Sequence, residues 1–140
     1  MTIPLESHGL SISADGNRAY IAGGGSRFSG NSGPENAPGV VILDVSEIQA
    51  RKPSPTVREI SRVTWPSISI PQNAIPITIK GKPYLVEIDE YTDALNGGPG
   101  NIGAGRIIDI SDETKPKVIS NLRLAVHQPE NKAIRDGDPG

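Results

Sequence analysis

A phrase that occurs twice in the chain constrains its fold more than any other feature. Residues 40–46 read VVILDVS and residues 105–111 read GRIIDIS, so an apolar run followed by Asp, an aliphatic residue and Ser recurs after 65 positions. Weaker matches flank both copies in the same order and align Tyr20 with Tyr84. Self-similarity at a fixed spacing is typical of proteins built from repeated structural units. The sequence therefore predicts one unit that is written twice.

Each copy contains four segments with the apolar pattern of a β-strand. The 16 Gly and 13 Pro residues lie mostly between these segments, and both residue types disfavour helix interiors. Asp15-Gly16 and Lys80-Gly81 predict tight turns after the first segment of each copy. The one helical signal is residues 46–51, a single turn with Ser46 as its N-cap. The predicted strands are residues 10–13, 18–22, 40–44 and 56–63 in the first copy and 75–79, 84–88, 105–109 and 117–124 in the second.

Four antiparallel strands per unit, repeated in tandem, are typical of the blades of a β-propeller. The predicted fold class is therefore all-β, with two four-stranded antiparallel sheets of an incomplete propeller. Because two blades leave two apolar faces uncovered, we expect partners in neighbouring blades of the same fold or in another copy of the chain. The predicted organisation is a connector at 1–7, a first blade at 8–65, a connector at 66–72, a second blade at 73–126 and a connector or disordered tail at 127–140.

The composition argues against several classes of function. The net charge is −2 without a basic cluster, so the positive surface that nucleic acid requires is missing. The chain has no Cys, which excludes disulfides and thiolate metal sites. No apolar run approaches the length of a membrane span. The first ten residues, MTIPLESHGL, lack the basic and apolar regions of a secretory signal, so no export signal is predicted in this chain.

The repeated phrase, with the Lys-Pro that follows it at 52–53 and 115–116, resembles the repeat of LVIVD-type β-propeller proteins. The segment HGLSISADGNRAYIA at residues 8–22 is similar to a wider signature of YVTN-type and selenium-binding-type propellers. The likeness covers the chain from about residue 8 to 124. It implies a propeller fold, an exported or extracytoplasmic location, and a chain that is a piece of a longer propeller.

In such a propeller, the connector into each first strand and the loop between the second and third strands lie at one end, which predicts a ligand-binding rim there. His8 enters the first strand, with Asn73 as its predicted counterpart, and the selenium-binding-type resemblance implies a metal-ligating His at this place. Glu87 and Asp89 share one face of a predicted strand, and their oxygens could hold Ca²⁺. The candidate site for calcium or a transition metal is therefore His8, Glu87 and Asp89. The alternative is a hydrogen-bonded loop histidine near a solvated acidic rim.

The aspartates of the repeated phrase favour a structural role. Asp44 and Asp109 each end a predicted strand, where a carboxylate can accept backbone N–H groups of the following turn. Ser46 and Ser111 can act in the same turns. A turn residue has a reason to recur in every unit, whereas a catalytic residue does not, so no catalytic residue is assigned.

These features favour a non-catalytic propeller segment that acts as a binding scaffold within a larger, exported protein. Its ligand would be a protein or a small molecule at the loop-rich end. The alternative is a fragment of a metal-dependent hydrolase or oxidase with its site at the mouth of the propeller channel. A fold alone does not choose between these functions.

Overall fold

The computed structural model describes residues 7–23, 37–65, 70–90 and 105–125, together with residue 131. Apart from one turn of helix, the regular structure of these residues is two four-stranded antiparallel sheets, which confirms the all-β prediction. In each sheet the strands are hydrogen-bonded in the order in which they occur in the chain. The N-terminal sheet consists of β1 (Gly9–Ile12), β2 (Arg18–Gly23), β3 (Gly39–Asp44) and β4 (Arg58–Thr64), and the C-terminal sheet consists of β5 (Ile70–Ile79), β6 (Lys82–Glu90), β7 (Gly105–Asp109) and β8 (Lys117–Leu122).

Tight turns join β1 to β2 and β5 to β6, where the sequence predicts them. In the first turn Gly16 has a φ of +76°, and Asp15 Oδ1 accepts the backbone N–H of Asn17 at 3.1 Å. In the second turn Lys80 and Gly81 have φ values of +50° and +78°. Two consecutive residues in the left-handed region form the two-residue hairpin whose twist matches the flanking strands. The chain reversals are therefore set by local turn chemistry.

Most strand ends lie within two residues of their predicted positions, but the start of β5 and the cap of α1 need correction. β5 begins at Ile70, within the predicted connector at 66–72. The helix α1 (Ser46–Gln49) is a single turn as predicted, but its N-cap is Val45, so the prediction of Ser46 as N-cap is wrong. Ser46 is instead the first helical residue, and its backbone N–H donates to Asp44 Oδ1 at 3.0 Å. The aspartate thereby satisfies a helix N–H that has no partner within the helix.

Strand pairing corrects the sequence alignment of the two copies. Asp44 lies opposite Arg18, whereas Asp109 lies opposite Tyr84. Tyr84 is therefore the structural counterpart of Arg18 rather than of Tyr20. A shift of two residues leaves the alternation of side chains between the faces unchanged, so the apolar pattern could not detect it.

The first strands need a smaller correction. Asn73 holds the place in β5 that Gly9 holds in β1, as judged from their partners in the neighbouring strands. The counterpart of His8 is therefore Gln72, and the predicted equivalence with Asn73 is wrong. The pairing of β5 is irregular beside Gln72, next to Pro71, and proline within a strand is typical of such irregular positions.

One face of each sheet packs against the other sheet, and we call these the inner faces. Together with Trp65, Ala74 and Ile110 they form the main buried core. The inner face consists of Tyr20, Ala22, Val40 and Ile42 in the N-terminal sheet and of Leu85, Glu87, Arg106 and Ile108 in the C-terminal sheet. The outer face consists of Ala19, Ile21, Leu43 and Val45 in the N-terminal sheet and of Val86, Ile88, Gly105 and Ile107 in the C-terminal sheet.

The two inner faces are not equivalent faces of the repeated unit. The counterpart of Tyr20 on the inner face of the N-terminal sheet is Val86, on the outer face of the C-terminal sheet. The counterpart of Leu85 on the inner face is likewise Ala19, on the outer face of the N-terminal sheet. The two sheets therefore stack head to tail, as successive units of one series.

Candidate functional site: a buried charged cluster between the sheets

Two acidic side chains and one arginine are buried on the inner face of the C-terminal sheet. Glu87 lies directly opposite Arg106, and Asp89 follows on the same face of β6. Arg106 Nη1 donates to Glu87 Oε2 at 2.8 Å and to Asp89 Oδ2 at 2.6 Å. The exposed fraction is 2% for the arginine side chain and 0% for both acidic side chains. We call these three residues the charged cluster; removing Arg106 would leave two buried acids without their shared cation.

Trp65, at the end of β4, brings the N-terminal sheet onto the charged cluster. The guanidinium carbon of Arg106 lies 4.0 Å from the centroid of the Trp65 ring. The backbone N–H of Trp65 donates to the carbonyl of Pro38 at 3.1 Å, which fixes the chain at this point. A desolvated cation–π contact of this kind contributes about 2 kcal/mol. The cluster therefore joins the two sheets as well as β6 and β7.

Glu87 is the member of the cluster whose protonation is most affected. Burial and the neighbouring charge of Asp89 raise the pKa of Glu87 to about 8, against the hydrogen bond from Arg106. Glu87 Oε1 is buried and receives no hydrogen bond from the described residues. Because this pKa lies above 7, Glu87 is mostly protonated at neutral pH. The cluster then contains one cation and one carboxylate, and its charges balance.

The structure brings Glu87 and Asp89 together, but their shared partner is a residue that the sequence analysis missed. Arg106 is the charged residue within the apolar run of the second copy, where the first copy has Val41. A charge inside an otherwise buried strand calls for an opposite charge nearby, and this signal could have identified Arg106. The arrangement can hold a proton and fasten the two sheets together.

His8 lies on the exposed rim, where it contacts the other sheet. Its Nδ1 is 3.2 Å from Nε2 of Gln72, and the same nitrogen of Gln72 donates to Glu90 Oε2 at 2.8 Å. Within the described ranges, no group of three or more His, Asp or Glu side chains is placed to hold a metal ion. The calcium or transition-metal site at His8, Glu87 and Asp89 stays a prediction. The two Gly-rich loops of the predicted rim, residues 23–39 and 92–105, lie mostly outside the described residues.

The aspartates of the repeated phrase form matching turns. Asp44 Oδ1 accepts the backbone N–H of Ser46 at 3.0 Å, and Asp109 Oδ1 accepts that of Ser111 at 2.8 Å. Hydrogen bonds from Ser46 lower the pKa of Asp44 to about 2, and the backbone hydrogen bond from Ser111 lowers the pKa of Asp109. The same carboxylate geometry thus ends the third strand in both sheets.

A second polar contact between the sheets is made by Glu113, which lies in the turn between β7 and β8. Glu113 Oε2 accepts a hydrogen bond from Arg18 Nε at 2.7 Å, and its Oε1 accepts a longer one from the Tyr20 hydroxyl at 3.4 Å. The Ser61 hydroxyl donates to the backbone carbonyl of Glu113 at 2.5 Å. Burial, and then the negative charge of Glu113, raise the pKa of Tyr20 to about 12. Glu113 therefore fixes the second sheet against β2 and β4 of the first.

The outer face of the N-terminal sheet carries an apolar groove. Its cavity volume is about 430 Å³. Leu10, Ile12 and Ile48 line it and remain between 46% and 55% exposed. The floor is formed by Ala19, Ile21, Leu43 and Val45. This groove has the size of a small-molecule site but almost no polar group to orient a ligand.

The fold and the site define an all-β protein in which two repeated antiparallel sheets are joined by buried charges. Comparison with protein-family models and with curated proteins found no match to this chain. No helix among the described residues is long and apolar enough to cross a membrane.

Proposed function

We propose that this chain is a segment of an exported β-propeller, of the LVIVD-repeat type, that acts as a non-catalytic binding scaffold. The observation that carries the proposal is the head-to-tail stacking of the two sheets. The inner face of the N-terminal sheet packs against the counterpart of its own outer face. This relation is expected of units stacked in one direction, as the blades of a propeller are. Each blade then serves as the support for the next one.

The rim around His8 supports a role in binding. His8, Gln72 and Glu90 form a chain of polar contacts that runs from one sheet to the other at an exposed end of the strands. Rigid sheets that present loops at one end are a common arrangement for binding a partner. A protein or a small molecule at this end is the ligand that we propose.

The charged cluster supports the non-catalytic part of the proposal. Both acids of the predicted metal site already share one guanidinium nitrogen, and all three side chains are buried. A buried arginine that satisfies two acids has a sufficient explanation in joining the sheets. A metal-dependent hydrolase or oxidase would require these acids to exchange Arg106 for a metal ion.

Metal analysis of the purified chain tests this proposal. The chain is incubated with Ca²⁺, Zn²⁺ or Cu²⁺, washed and analysed for bound metal, in parallel with the His8→Ala and Glu87→Gln variants. Asp112→Asn, which changes an exposed turn carboxylate, is the matched control. We expect well under one equivalent of metal in every protein. One equivalent that is lost in both site variants and kept in the control would instead support the metal-dependent enzyme.

A further inference from the structure

Both outer faces of the stacked sheets expose apolar side chains. On the N-terminal sheet these side chains line the apolar groove. On the C-terminal sheet the outer face exposes several large aliphatic side chains, although the inner face of the same sheet is buried. The exposed residues there are Ile75 (49%), Ile88 (46%), Ile119 (54%) and Leu122 (51%), with Leu124 (67%) just beyond β8.

The interface within the chain is a template for covering these faces. It joins the inner face of the N-terminal sheet to the inner face of the C-terminal sheet. By strand register, the outer face of the C-terminal sheet is equivalent to the inner face of the N-terminal sheet. The outer face of the N-terminal sheet is likewise equivalent to the inner face of the C-terminal sheet. The two outer faces of different copies can therefore meet in the same geometry as the two inner faces of one copy.

Side-chain differences between the two sets of faces are matched in pairs. Within the chain, Trp65 packs over Arg106. The residues at these places on the outer faces are Leu124 and Val41, so a cation–π contact would be replaced by an apolar one. If only one of the two positions had changed, a buried arginine would face an aliphatic side chain or a tryptophan would lose its cation.

The contacts of Glu113 change in the same coordinated way. Within the chain, Glu113 binds Tyr20 of the neighbouring sheet. Ile48 of α1 is the counterpart of Glu113, because each lies two residues after the serine of the repeated phrase. Ile48 is 48% exposed at the edge of the apolar groove. The counterpart of Tyr20 is Val86. A polar pair at the inner interface therefore corresponds to an apolar pair on the outer faces.

Side-chain sizes are also compensated. The cross-strand pair Ala22 and Val40 on the inner face corresponds to Ile88 and Gly105 on the outer face. Ile88 Cδ1 lies 3.1 Å from the place where a Cβ of Gly105 would be, so the isoleucine covers the glycine. The larger side chain of the pair is on the third strand at the inner face (Val40) and on the second strand at the outer face (Ile88). The total side-chain volume of the pair is therefore similar on both faces. Such complementary changes keep a face suitable for close packing.

We infer that the outer face of the C-terminal sheet of one copy binds the apolar groove on the outer face of the N-terminal sheet of a second copy. This inference rests on the blade stacking in the proposed function: a second copy of this chain takes the place that a neighbouring blade would hold in a longer propeller. The contact is head to tail, so every copy binds one neighbour through the outer face of its C-terminal sheet and another through its apolar groove. If the series closes at the four to eight blades of known propellers, the ring contains about two to four copies.

Single-face variants test this assembly. Leu10→Glu places a charge in the groove, where the counterpart of Leu10 is the buried Ala74. Leu122→Glu places one on the other face, where the counterpart of Leu122 is Val63, which packs against the core. Lys80→Glu, in the β5–β6 turn, is the control. Mass is measured by light scattering after size exclusion, and circular dichroism checks folding.

We expect wild type and Lys80→Glu to form assemblies of two to four copies and each face variant alone to be a 14.8 kDa monomer. A mixture of the two face variants should form a one-to-one dimer, because each supplies the face that the other lacks. A monomeric wild type would overturn the inference. Assembly of either face variant by itself would also overturn it, since a face would then be binding its own kind.

A cysteine pair gives a second measurement that introduces no charge, because the natural chain has no Cys. Val41→Cys and Leu124→Cys occupy the places that Arg106 and Trp65 occupy at the inner interface. On mixing equal amounts under oxidising conditions, we expect the disulfide between unlike variants to exceed the two like disulfides combined. An unlike disulfide that only equals the sum of the two like ones, as random pairing gives, would overturn the inference. These results do not depend on metal binding, so they separate this inference from the test of the non-catalytic scaffold.

Discussion

The outer face of the N-terminal sheet and the inner face of the C-terminal sheet hold equivalent positions, but their chemistry is opposite. Ile21 and Val41 form a cross-strand aliphatic pair in the first sheet. Glu87 and Arg106 form a cross-strand ion pair at the same place in the second sheet. The backbone pairing is the same in both, so the register of the sheet does not determine which chemistry fills it.

The difference between the two faces shows which side chains a face can carry when another sheet covers it. The charged face is covered by Trp65, and its excess negative charge is balanced by a proton on Glu87. The aliphatic face has no described counterpart of this tryptophan against it and exposes Leu10 and Ile12 instead. A buried ion cluster depends on the arginine that its acids share, whereas an aliphatic face accepts any well-shaped apolar partner.

The largest expected effect comes from breaking the charged face. Arg106→Met should lower the free energy of unfolding by about 3–5 kcal/mol, because it leaves two buried acids without their shared cation. Arg58→Met is the matched control. Arg58 binds Asp44 at 3.1 Å, but its side chain is 77% exposed, so its loss should cost less than about 1 kcal/mol. Urea denaturation at pH 7 measures both values.

A combined variant carries this comparison further. Glu87→Ile, Asp89→Ala and Arg106→Val together give the C-terminal sheet an aliphatic face like that of the N-terminal sheet. Replacing a complete buried ion cluster with apolar residues is often neutral or stabilising. We expect the triple variant to be more stable than Arg106→Met. A triple variant that is less stable than Arg106→Met would show that the cluster contributes to the free energy of unfolding beyond neutralising its own charges.

The next effect is a pH dependence that only the charged face can have. Because the pKa of Glu87 is about 8 in the folded chain and near 4.5 when unfolded, only the folded state keeps this proton between these values. Stability from this group is fully present below pH 4.5 and is lost as the pH rises to about 8. The total is on the order of a few kcal/mol at about 1.4 kcal/mol per pKa unit.

Glu87→Gln should remove this dependence, since an amide mimics the protonated acid. We expect the variant to resemble wild type at pH 5 and to be more stable at pH 9, as measured by urea denaturation across the range. Glu90→Gln, which changes an exposed acid on the same strand, should leave the wild-type slope in place. Parallel pH profiles of wild type and Glu87→Gln would contradict the assignment of the proton.

The sequence predicted the features that depend on local patterns. The Asp-Gly turn at residue 16 and the order of the strands follow from turn chemistry and apolar periodicity. The register between copies was wrong because a two-residue shift between Tyr20 and Tyr84 preserves that periodicity. The charged cluster was only partly predicted, since Glu87 and Asp89 share a strand but Arg106 reaches them through strand pairing and Trp65 through sheet packing. Such contacts depend on three-dimensional register, which one sequence does not specify.

The smallest expected effect concerns the turns, which are alike in both sheets although the faces differ. Asp44→Ala and Asp109→Ala should each destabilise the chain less than Arg106→Met, because each removes a bond to a serine N–H in a turn. The loss for Asp44 should be the larger, since Asp44 also binds Arg18 and Arg58. Thermal unfolding at pH 7 measures this order.

At acid pH, the two turn aspartates make stability depend on pH with the opposite sign from Glu87: stability falls as the pH is lowered. The pKa of Asp44 is lowered to about 2 and that of Asp109 is also lowered, so their contribution is present above pH 3.8 and is lost as the pH falls below it. Asp44→Asn and Asp109→Asn keep the acceptor oxygen and should lose less stability at pH 7 than the alanine variants. Both should also show a shallower decline between pH 4 and pH 2. If one aspartate alone governs that decline, the two turns are not energetically equivalent, and the repeat that fixes the geometry of both sheets does not extend to their electrostatics.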